Sequence, residues 1–394
     1  MHVLVVGGGI GGLTAALALQ KRGHTVTVAE QSGVISEVGA GLQLSPNAMK
    51  VMNALGVSAR VMRDAFRPQA AEMRWGRGGA KIFSFPLRKT AVNRWDAEYI
   101  HVHRADLIEA LCEELLARAP DALLLGRRFE RYENRGDRIV AHFAGGETIE
   151  ADLLVGADGI HSAVRAQMLG PDAPQFTGNV AWRATVPVTL LGDKAPPPTA
   201  CVWAGPRRHA VTYLLRRGSL ANFVGVVEHK QPGEESWTAT GAKEQALKDF
   251  KGWHPSITAI IEAADTMNRW ALYGRKPLPK WSDGRAVLLG DSCHPMLPFL
   301  AQGAAMGIED AWALAACLEA QPDVSAALAA YEARRKPRVT KVQEGARSNA
   351  KLFHRGDPIT RFGTYVPMWM AAHAAPGFIQ SRTDWIYSHD ETAL

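Results

Sequence analysis

Residues Gly284–Ala315 read GRAVLLGDSCHPMLPFLAQGAAMGIEDAWALA, and this stretch decides the fold class. The run from Arg285 to Gly290 is short, apolar and bounded by glycine, which suits a strand buried on both faces. Asp291 falls where that strand should end. A loop punctuated by Pro295 and Pro298 follows. From Gly303 the spacing of Met306, Ile308, Ala311, Leu314 and Leu318 predicts a helix. An acid at a strand end, then a loop into a fresh helix N-terminus, is how α/β proteins build cofactor sites. The carboxylate accepts hydrogen bonds from hydroxyls, and the free N–H groups of the helix start favour negative charge. A helix-starting acid would explain the pattern equally well, so the far end of the chain has to decide.

There, His2–Val6 reads as a buried strand, and Gly7-Gly-Gly9-Ile-Gly-Gly12 fits GxGxxG. A helix from Leu13 to Arg22, stopped by Gly23, leads to a second strand, Thr25–Ala29, that ends in Glu30. Gly7 permits the tight turn, Gly9 lets backbone approach a pyrophosphate, and Gly12 allows close packing of helix on strand. Glu30 can accept hydrogen bonds from two ribose hydroxyls. With strand, glycines, helix, strand and acid all in order, a nucleotide site outweighs chance.

At 394 residues the chain has room for two domains, and 47% apolar with 21% charged residues is the composition of a soluble globular protein. The net charge of +6 is spread along the sequence, which argues against a nucleic-acid surface and permits a bias toward anionic substrates. Four widely spaced cysteines, with no CxxC, exclude a zinc or disulfide framework and fit a reducing cytoplasm. No apolar run approaches the ~20 residues of a membrane span, and the start lacks the basic flank of a signal peptide. The expectations are a cytoplasmic protein with no metal, no nucleic acid and no membrane partner.

Between the two ends, Gly39 and Gly41 bring backbone close to a neighbour, Leu42–Leu44 alternates like a strand, and Ser45 caps a helix with Pro46 at its first position and Gly56 beyond its end. Glu72–Phe85 alternates weakly. Arg104 starts a helix running to Arg118, where a cation opposes the helix dipole and calls for an anionic partner or a surface ion pair. Short strands are expected at Leu123–Leu125, Phe129–Asn134, Arg138–Phe143 and Ile149–Val155. The last leads to Asp158, a second acid at a strand end, and then to a helix over His161–Leu169. From Gln175 to Trp270, alternating runs between Pro and Gly turns predict an inserted antiparallel sheet, followed by one helix, Ala242–Lys251. Val324–Ala346 is helical, kinked or divided by Pro337.

GGGIGG with Glu30, Arg104 before a helix, GADGIHSAVR at Gly156–Arg165 and LLGDSCHPMLPFLAQGAAMGIEDA at Leu288–Ala311 together resemble the class A flavoprotein monooxygenases of the para-hydroxybenzoate hydroxylase fold. Within that family the chain is most similar to the branch of salicylate hydroxylase, 3-hydroxybenzoate 6-hydroxylase and 6-hydroxynicotinate 3-monooxygenase, over roughly residues 1–345. The resemblance implies an α/β fold with a Rossmann-like, GR2-type FAD domain assembled from 1–73, 99–174 and 271–345. It implies a substrate domain with an antiparallel sheet from 74–98 and 175–270, and a helical tail over 346–394.

It also implies tightly but non-covalently bound FAD. Gly7, Gly9 and Gly12 would face the pyrophosphate, Glu30 the adenosine ribose, and Arg104 the ribityl-pyrophosphate part. Gly41 and Leu42 join the cofactor side. Asp158 belongs to a motif associated with both FAD and reductant, Asp291 would bind the ribityl chain, and the amides of Gln302, Gly303 and Ala304 would face the flavin N1/O2 edge. Pro298 occupies the position near the flavin's reactive carbon. The implied chemistry is FAD reduction by transiently docked NADH or NADPH, capture of O₂ as a flavin hydroperoxide, and transfer of one oxygen to a small aromatic acid. A monomer or homodimer is implied.

Arg183, Thr212 and Tyr213 fall on the substrate side. Where relatives tend to have His-Tyr, this chain has Thr212-Tyr213, with His209 three residues before Thr212. Alternation puts His209 and Tyr213 on one face and Thr212 on the other. Either His209 or Tyr213 could polarise the substrate, singly or as a relay, or the substrate needs little activation; a packing role for His209 stands beside the catalytic one. A flavin epoxidase or oxidase of the same fold, and a protein that holds FAD without turnover, are the alternatives.

Overall fold

The structure is a computed structural model that describes residues 1–35, 41–231, 240–241 and 243–393. Gly39 of the glycine-rich loop and Ala242, the expected helix start, lie outside the described residues.

The architecture is mixed α/β, built on two main sheets. The first has six strands in the order Ser282–Asp283, Ala286–Leu288, Leu153–Gly156, His2–Val6, Thr25–Ala29 and Leu123–Leu124. All neighbours pair in parallel except the Ser282–Asp283 edge. The inner strands are near-continuous Val and Leu because helices cover both faces. The chain leaves His2–Val6 through helix Ile10–Lys21 toward one side and returns to the other side with Leu153–Gly156. The strand order therefore reverses at His2–Val6, and the crevice of such a reversal opens beyond the C-terminal strand ends. Gly7, Glu30, Asp158 and Asp291 all follow those ends, so the parallel pairing gathers them at one edge.

The second sheet has eight strands: Thr240–Gly241, Met267–Gly274, Gln175–Pro187, Leu220–Glu228, Arg208–Leu215, Ala200–Gly205, Ala70–Trp75 and Lys81–Pro86. One face is closed by a core containing Trp182, Trp203, Phe223, Phe250, Ile257 and Ile260, under helices Lys243–Asp249 and Pro255–Ala263. The other face packs on Phe299, Phe353 and Tyr365. Sheet formation is antiparallel as expected except at Ala70–Trp75 with Ala200–Gly205, which pair in parallel because a long stretch of chain separates them.

Several local expectations are corrected. Ile149–Val155 is two strands, Thr148–Ala151 and Leu153–Gly156, in different sheets. The break falls at Asp152, which turns the chain and accepts the His2 N–H at 2.6 Å. A second helix, Pro255–Ala263, follows the first one in the substrate half. Helix Val324–Phe353 runs 30 residues through Pro337, and the tail forms two more helices, Pro358–Ala374 and Pro376–Tyr387. Among the described residues, no helix is long and apolar enough to cross a membrane.

Candidate functional site

The cofactor edge is built from glycines that meet backbone. Gly7 has φ +110°, and a Cβ there would fall 2.4 Å from the Ala157 oxygen. A Cβ on Gly12 would lie 2.0 Å from the Gly7 oxygen, so that position must be glycine. A Cβ on Gly9 would meet nothing within 4 Å. The middle glycine thus faces open space, as a residue left clear for a ligand should. Glu30 is half-buried and already bound to backbone: its Oε2 accepts from Gly8 N–H at 2.7 Å and its Oε1 from Ser32 N–H at 2.8 Å. These bonds fix the carboxylate beside the turn, and each oxygen retains a lone pair for a hydroxyl donor.

Asp158 sits on the next strand end. Its Oδ2 accepts from Ala163 N–H at 2.8 Å and Val164 N–H at 3.2 Å, so it holds the start of helix Ala163–Leu169. Its Oδ1 is buried without a hydrogen-bond partner, an orphan acceptor at the crevice. Burial raises its carboxyl above the usual range, and hydrogen bonds from Ser162 and the helix amides oppose that.

Arg104 is the first residue of helix Arg104–Arg118, and Asp291 follows strand Ala286–Leu288. Burial lowers the Arg104 pKa, and the Asp291 charge opposes that shift, which supplies the anion expected for a cation at a helix start. Asp291 is exposed as a residue, yet the protein around its carboxyl raises the pKa, against the pull of His294 and Arg104.

Past Asp291, Pro298 opens a tight turn to Leu300, and Ala301 is held left-handed at φ +52°. A non-glycine residue there costs about 1 kcal/mol or more, and such strain collects at ligand sites. Helix Gly303–Ala320 then begins at Gln302 with no side-chain cap, leaving its first N–H groups for a ligand. The Gln302 side chain is occupied elsewhere. Its Nε2 donates to Ser45 Oγ at 2.9 Å, and its Oε1 accepts from Asn47 Nδ2 at 3.1 Å. Ser45 precedes helix Pro46–Leu55 as expected, but its hydroxyl donates to Asn47 Oδ1 at 2.6 Å instead of capping the helix.

On the substrate side, Arg183, Tyr213 and Asn222 share one sheet face. Tyr213 is directly opposite Asn222, and Arg183 lies two residues along from the Asn222 register. Gly41, which begins strand Gly41–Leu44, donates its N–H to Asn222 Oδ1 at 2.9 Å. A Cβ on Gly41 would fall 2.5 Å from the Tyr213 ring and 2.9 Å from its hydroxyl. Gly41 and Leu42 therefore sit where the cofactor half docks on the substrate half. Burial pushes the Tyr213 hydroxyl well above its ordinary pKa, with Arg183 opposing, so it is a protonated hydrogen-bond donor near neutral pH.

Arg183 stacks 4.5 Å over the Trp270 ring, and its Nε is buried without a hydrogen-bond partner. Burial lowers its pKa to about 10; the charged or polar groups acting on it are Tyr213 and Arg104, with no carboxylate among them.

Two expected substrate residues are placed differently. Thr212 faces the opposite core, where its Oγ1 accepts the Trp203 indole N–H at 2.9 Å, so it is removed from the site. His209 does share Tyr213's face, but four residues away, about 13 Å along a strand. It bonds through Nδ1 to His354 Nε2 at 2.7 Å and contacts Phe299 and Phe353, each at 5.2 Å between centroids. His354 in turn bonds to Glu228 at 3.1 Å. Burial holds His209 neutral, and its partner is His354, not Tyr213; the direct relay does not form. Asn222, Asn47 and His354 escaped the sequence reading. Their roles come from partners far away in the chain, and no local pattern marks them.

Acids gathered at parallel strand ends, an open glycine turn and an uncapped helix start define a dinucleotide-cofactor protein of the α/β class. A family model described as an FAD binding domain matches residues 1–346. The 6-hydroxynicotinate 3-monooxygenase of Pseudomonas fluorescens is 38% identical over 371 residues, covering 92% of this chain and 94% of that protein. The 3-hydroxybenzoate 6-hydroxylase of Polaromonas naphthalenivorans is 35% identical over 356 residues, 90% of this chain and 88% of its own. The crystal structure of Klebsiella pneumoniae HpxO complexed with FAD and uric acid matches with a TM-score of 0.86 at 28% identity, covering 98% of this chain and 97% of that one. The chain belongs to the class A FAD-dependent aromatic monooxygenases.

Proposed function

We propose that the protein hydroxylates a small aromatic ring bearing a carboxylate, with FAD as cofactor, NADH or NADPH as reductant and O₂ as co-substrate. The observation that carries this reading is Arg183: a half-buried arginine whose buried Nε has no partner, beside Tyr213 and without a facing acid. A cation of this kind needs an anion, and a ring carboxylate fits it. Relatives named for 6-hydroxynicotinate and 3-hydroxybenzoate support the same substrate class.

The residues fit FAD. Gly9 leaves room for a pyrophosphate, Glu30 and Asp291 are acceptors for hydroxyls, and the first amides of helix Gly303–Ala320, with those of Gln302 and Ala304, favour negative charge. When bound, FAD supplies the redox chemistry: two electrons from NAD(P)H and one O₂ give a hydroxylated ring and water. The protein's part is to hold, orient and exclude water. Arg183 anchors the carboxylate, and the Tyr213 hydroxyl donates to a ring oxygen, stabilising its anionic form rather than removing its proton. Phe299, next to Pro298, packs with Val211 and Val224 of the eight-stranded sheet.

A groove of about 360 Å³ is lined by Arg275, Lys276 and Arg347, and adjoins Pro295, Met296 and Leu297. Arg275 is buried and paired with Asp172, which leaves Lys276 and Arg347 to suit the phosphates of a reductant that docks and leaves. In this reading 1–73, 99–174 and 271–345 carry the cofactor, 74–98 and 175–270 the substrate, and 346–394 closes the far side. The test is NAD(P)H oxidation by the FAD-loaded protein, with and without hydroxylated benzoates and pyridine carboxylates, followed by analysis of the product. Stimulation with formation of a hydroxylated acid supports the reading. Oxidation that no aromatic acid stimulates overturns it.

A further inference from the structure

Behind the start of helix Gly303–Ala320 lies a buried ionic network that ends in the segment Ser388–Thr392. Glu391 is 1% exposed, unusual for a carboxylate near a tail. Its Oε2 meets Arg335 Nη1 at 2.7 Å, its Oε1 meets Arg334, and its backbone oxygen accepts from Arg334 Nη2 at 2.9 Å. Arg335 is fully buried and pairs also with Glu309 at 2.8 Å and Asp310 at 2.8 Å, both on the helix. Arg338 donates to Glu309 at 2.7 Å and 2.8 Å and to the carbonyls of Trp385 and Ile386. Lys50 donates to the carbonyls of Ser388 and His389 at 3.0 Å and 3.4 Å.

The network reaches the cofactor edge in two steps. Glu309 accepts from Asn47 Nδ2 at 2.6 Å, and the same nitrogen donates to Gln302 Oε1 at 3.1 Å. Gln302 is the residue from which the uncapped helix begins, next to the left-handed Ala301. Glu309, His389 and Glu391 are close enough, within 4.8 Å, to suggest a metal site. The oxygens they would offer already face Arg335 and Arg338, and a cation there would sit against two guanidiniums.

We infer that the Ser388–Thr392 segment is a clasp: Glu391, through Arg335 and Glu309, fixes the Gln302 peptide and the first amides of helix Gly303–Ala320 against the flavin, making Glu391 a positioning residue. This rests on the proposed placement of FAD at that helix start. The clasp and a simple charge effect predict opposite signs. Removing a negative charge should raise the flavin potential if Glu391 acts only through its field. Misplacing the amides that stabilise the reduced flavin anion should lower it.

The test is Glu391→Gln in the FAD-loaded protein, with FAD affinity and flavin midpoint potential as readouts, and Glu391→Asp as rescue. The clasp predicts roughly tenfold weaker FAD binding. It also predicts a tenfold loss of preference for reduced over oxidised FAD, a fall of about 30 mV for a two-electron couple. Asp should recover part of both. Should the Gln variant fail to fold, Asn47→Leu cuts the link from Glu309 to Gln302 with no change of charge, so the field predicts no shift and the same fall decides. An unchanged or raised potential in a yellow, folded variant overturns the clasp alone. A parent protein that binds no FAD overturns the cofactor placement and the clasp with it.

Discussion

Tyr213 and Asn222 stand directly opposite each other on neighbouring antiparallel strands, and both close on Gly41. Through this contact the substrate sheet holds the strand that borders the cofactor edge. The two side chains should separate by mutation. Tyr213→Phe leaves the Gly41–Asn222 bond intact, so FAD retention should hold while substrate-stimulated turnover falls roughly 10- to 100-fold, the loss of one hydrogen bond to a developing anion. Asn222→Leu strands the buried Gly41 N–H, so FAD affinity and turnover should fall together. Equal effects of the two variants on FAD binding, by equilibrium dialysis, would contradict this division.

The two glycines of the turn should respond in opposite ways. Gly12→Ala puts a methyl 2.0 Å from the Gly7 oxygen, so the turn must shift and the thermal midpoint should drop by several degrees. Gly9 has φ −78°, which alanine adopts freely, and its Cβ meets nothing. Gly9→Ala should therefore fold with an unchanged midpoint and lose FAD affinity. A normal affinity in that variant would mean the open space at Gly9 is not the pyrophosphate path.

Glu30 has two duties, holding the turn through Gly8 and Ser32 and facing the ribose. Glu30→Gln keeps one acceptor oxygen, whereas Glu30→Ala keeps none. FAD affinity should fall about tenfold for Ala and less for Gln, given ~1.5–3 kcal/mol for a charge-assisted hydrogen bond. If Ala retains FAD through dialysis as the parent does, Glu30 is not at the ribose.

Acid sensitivity should trace to the clasp network. Burial alone would push the Glu309 carboxyl up, but Arg335 and Arg338 outweigh it and hold it down from an ordinary 4.5 to about 2. A depressed folded pKa means stability present above pH 4.5 and lost as pH falls toward 2. Glu309→Gln should remove up to one proton from the pH slope of stability in that window, ~1.4 kcal/mol per pH unit. Denaturant unfolding at several pH values measures it; a slope equal to the parent's would exclude Glu309 as the titrating group.

The cofactor edge was legible because its signals are local. Glycines, a strand and a strand-end acid stand within one βαβ unit, and Asp158 and Asp291 repeat the strand-end pattern. The substrate side was half legible. Alternation separated Thr212 from Tyr213, yet it could not show that the opposite face is filled by Trp203 and its neighbours. His209 looked like a partner for Tyr213 because both point the same way; its bond is to His354, which the sequence holds 145 residues later in a tail without a readable period. The run Ile149–Val155 looked like one strand because hydrophobicity does not record which sheet a strand joins. Helix Val324–Phe353 continues through Pro337, so of the two outcomes local rules allowed, the division does not occur.

Arg183 should receive the carboxylate of the aromatic substrate. The most direct measurement is NAD(P)H oxidation by the FAD-loaded protein across hydroxylated benzoates and pyridine carboxylates, each paired with its neutral carboxamide, for the parent and for Arg183→Met. The parent should prefer an acid over its amide by roughly 10- to 100-fold in kcat/KM, the worth of one buried ion pair, and the variant should lose that preference while keeping FAD. Amides that work as well as acids, or a variant that still prefers the acid, would contradict it.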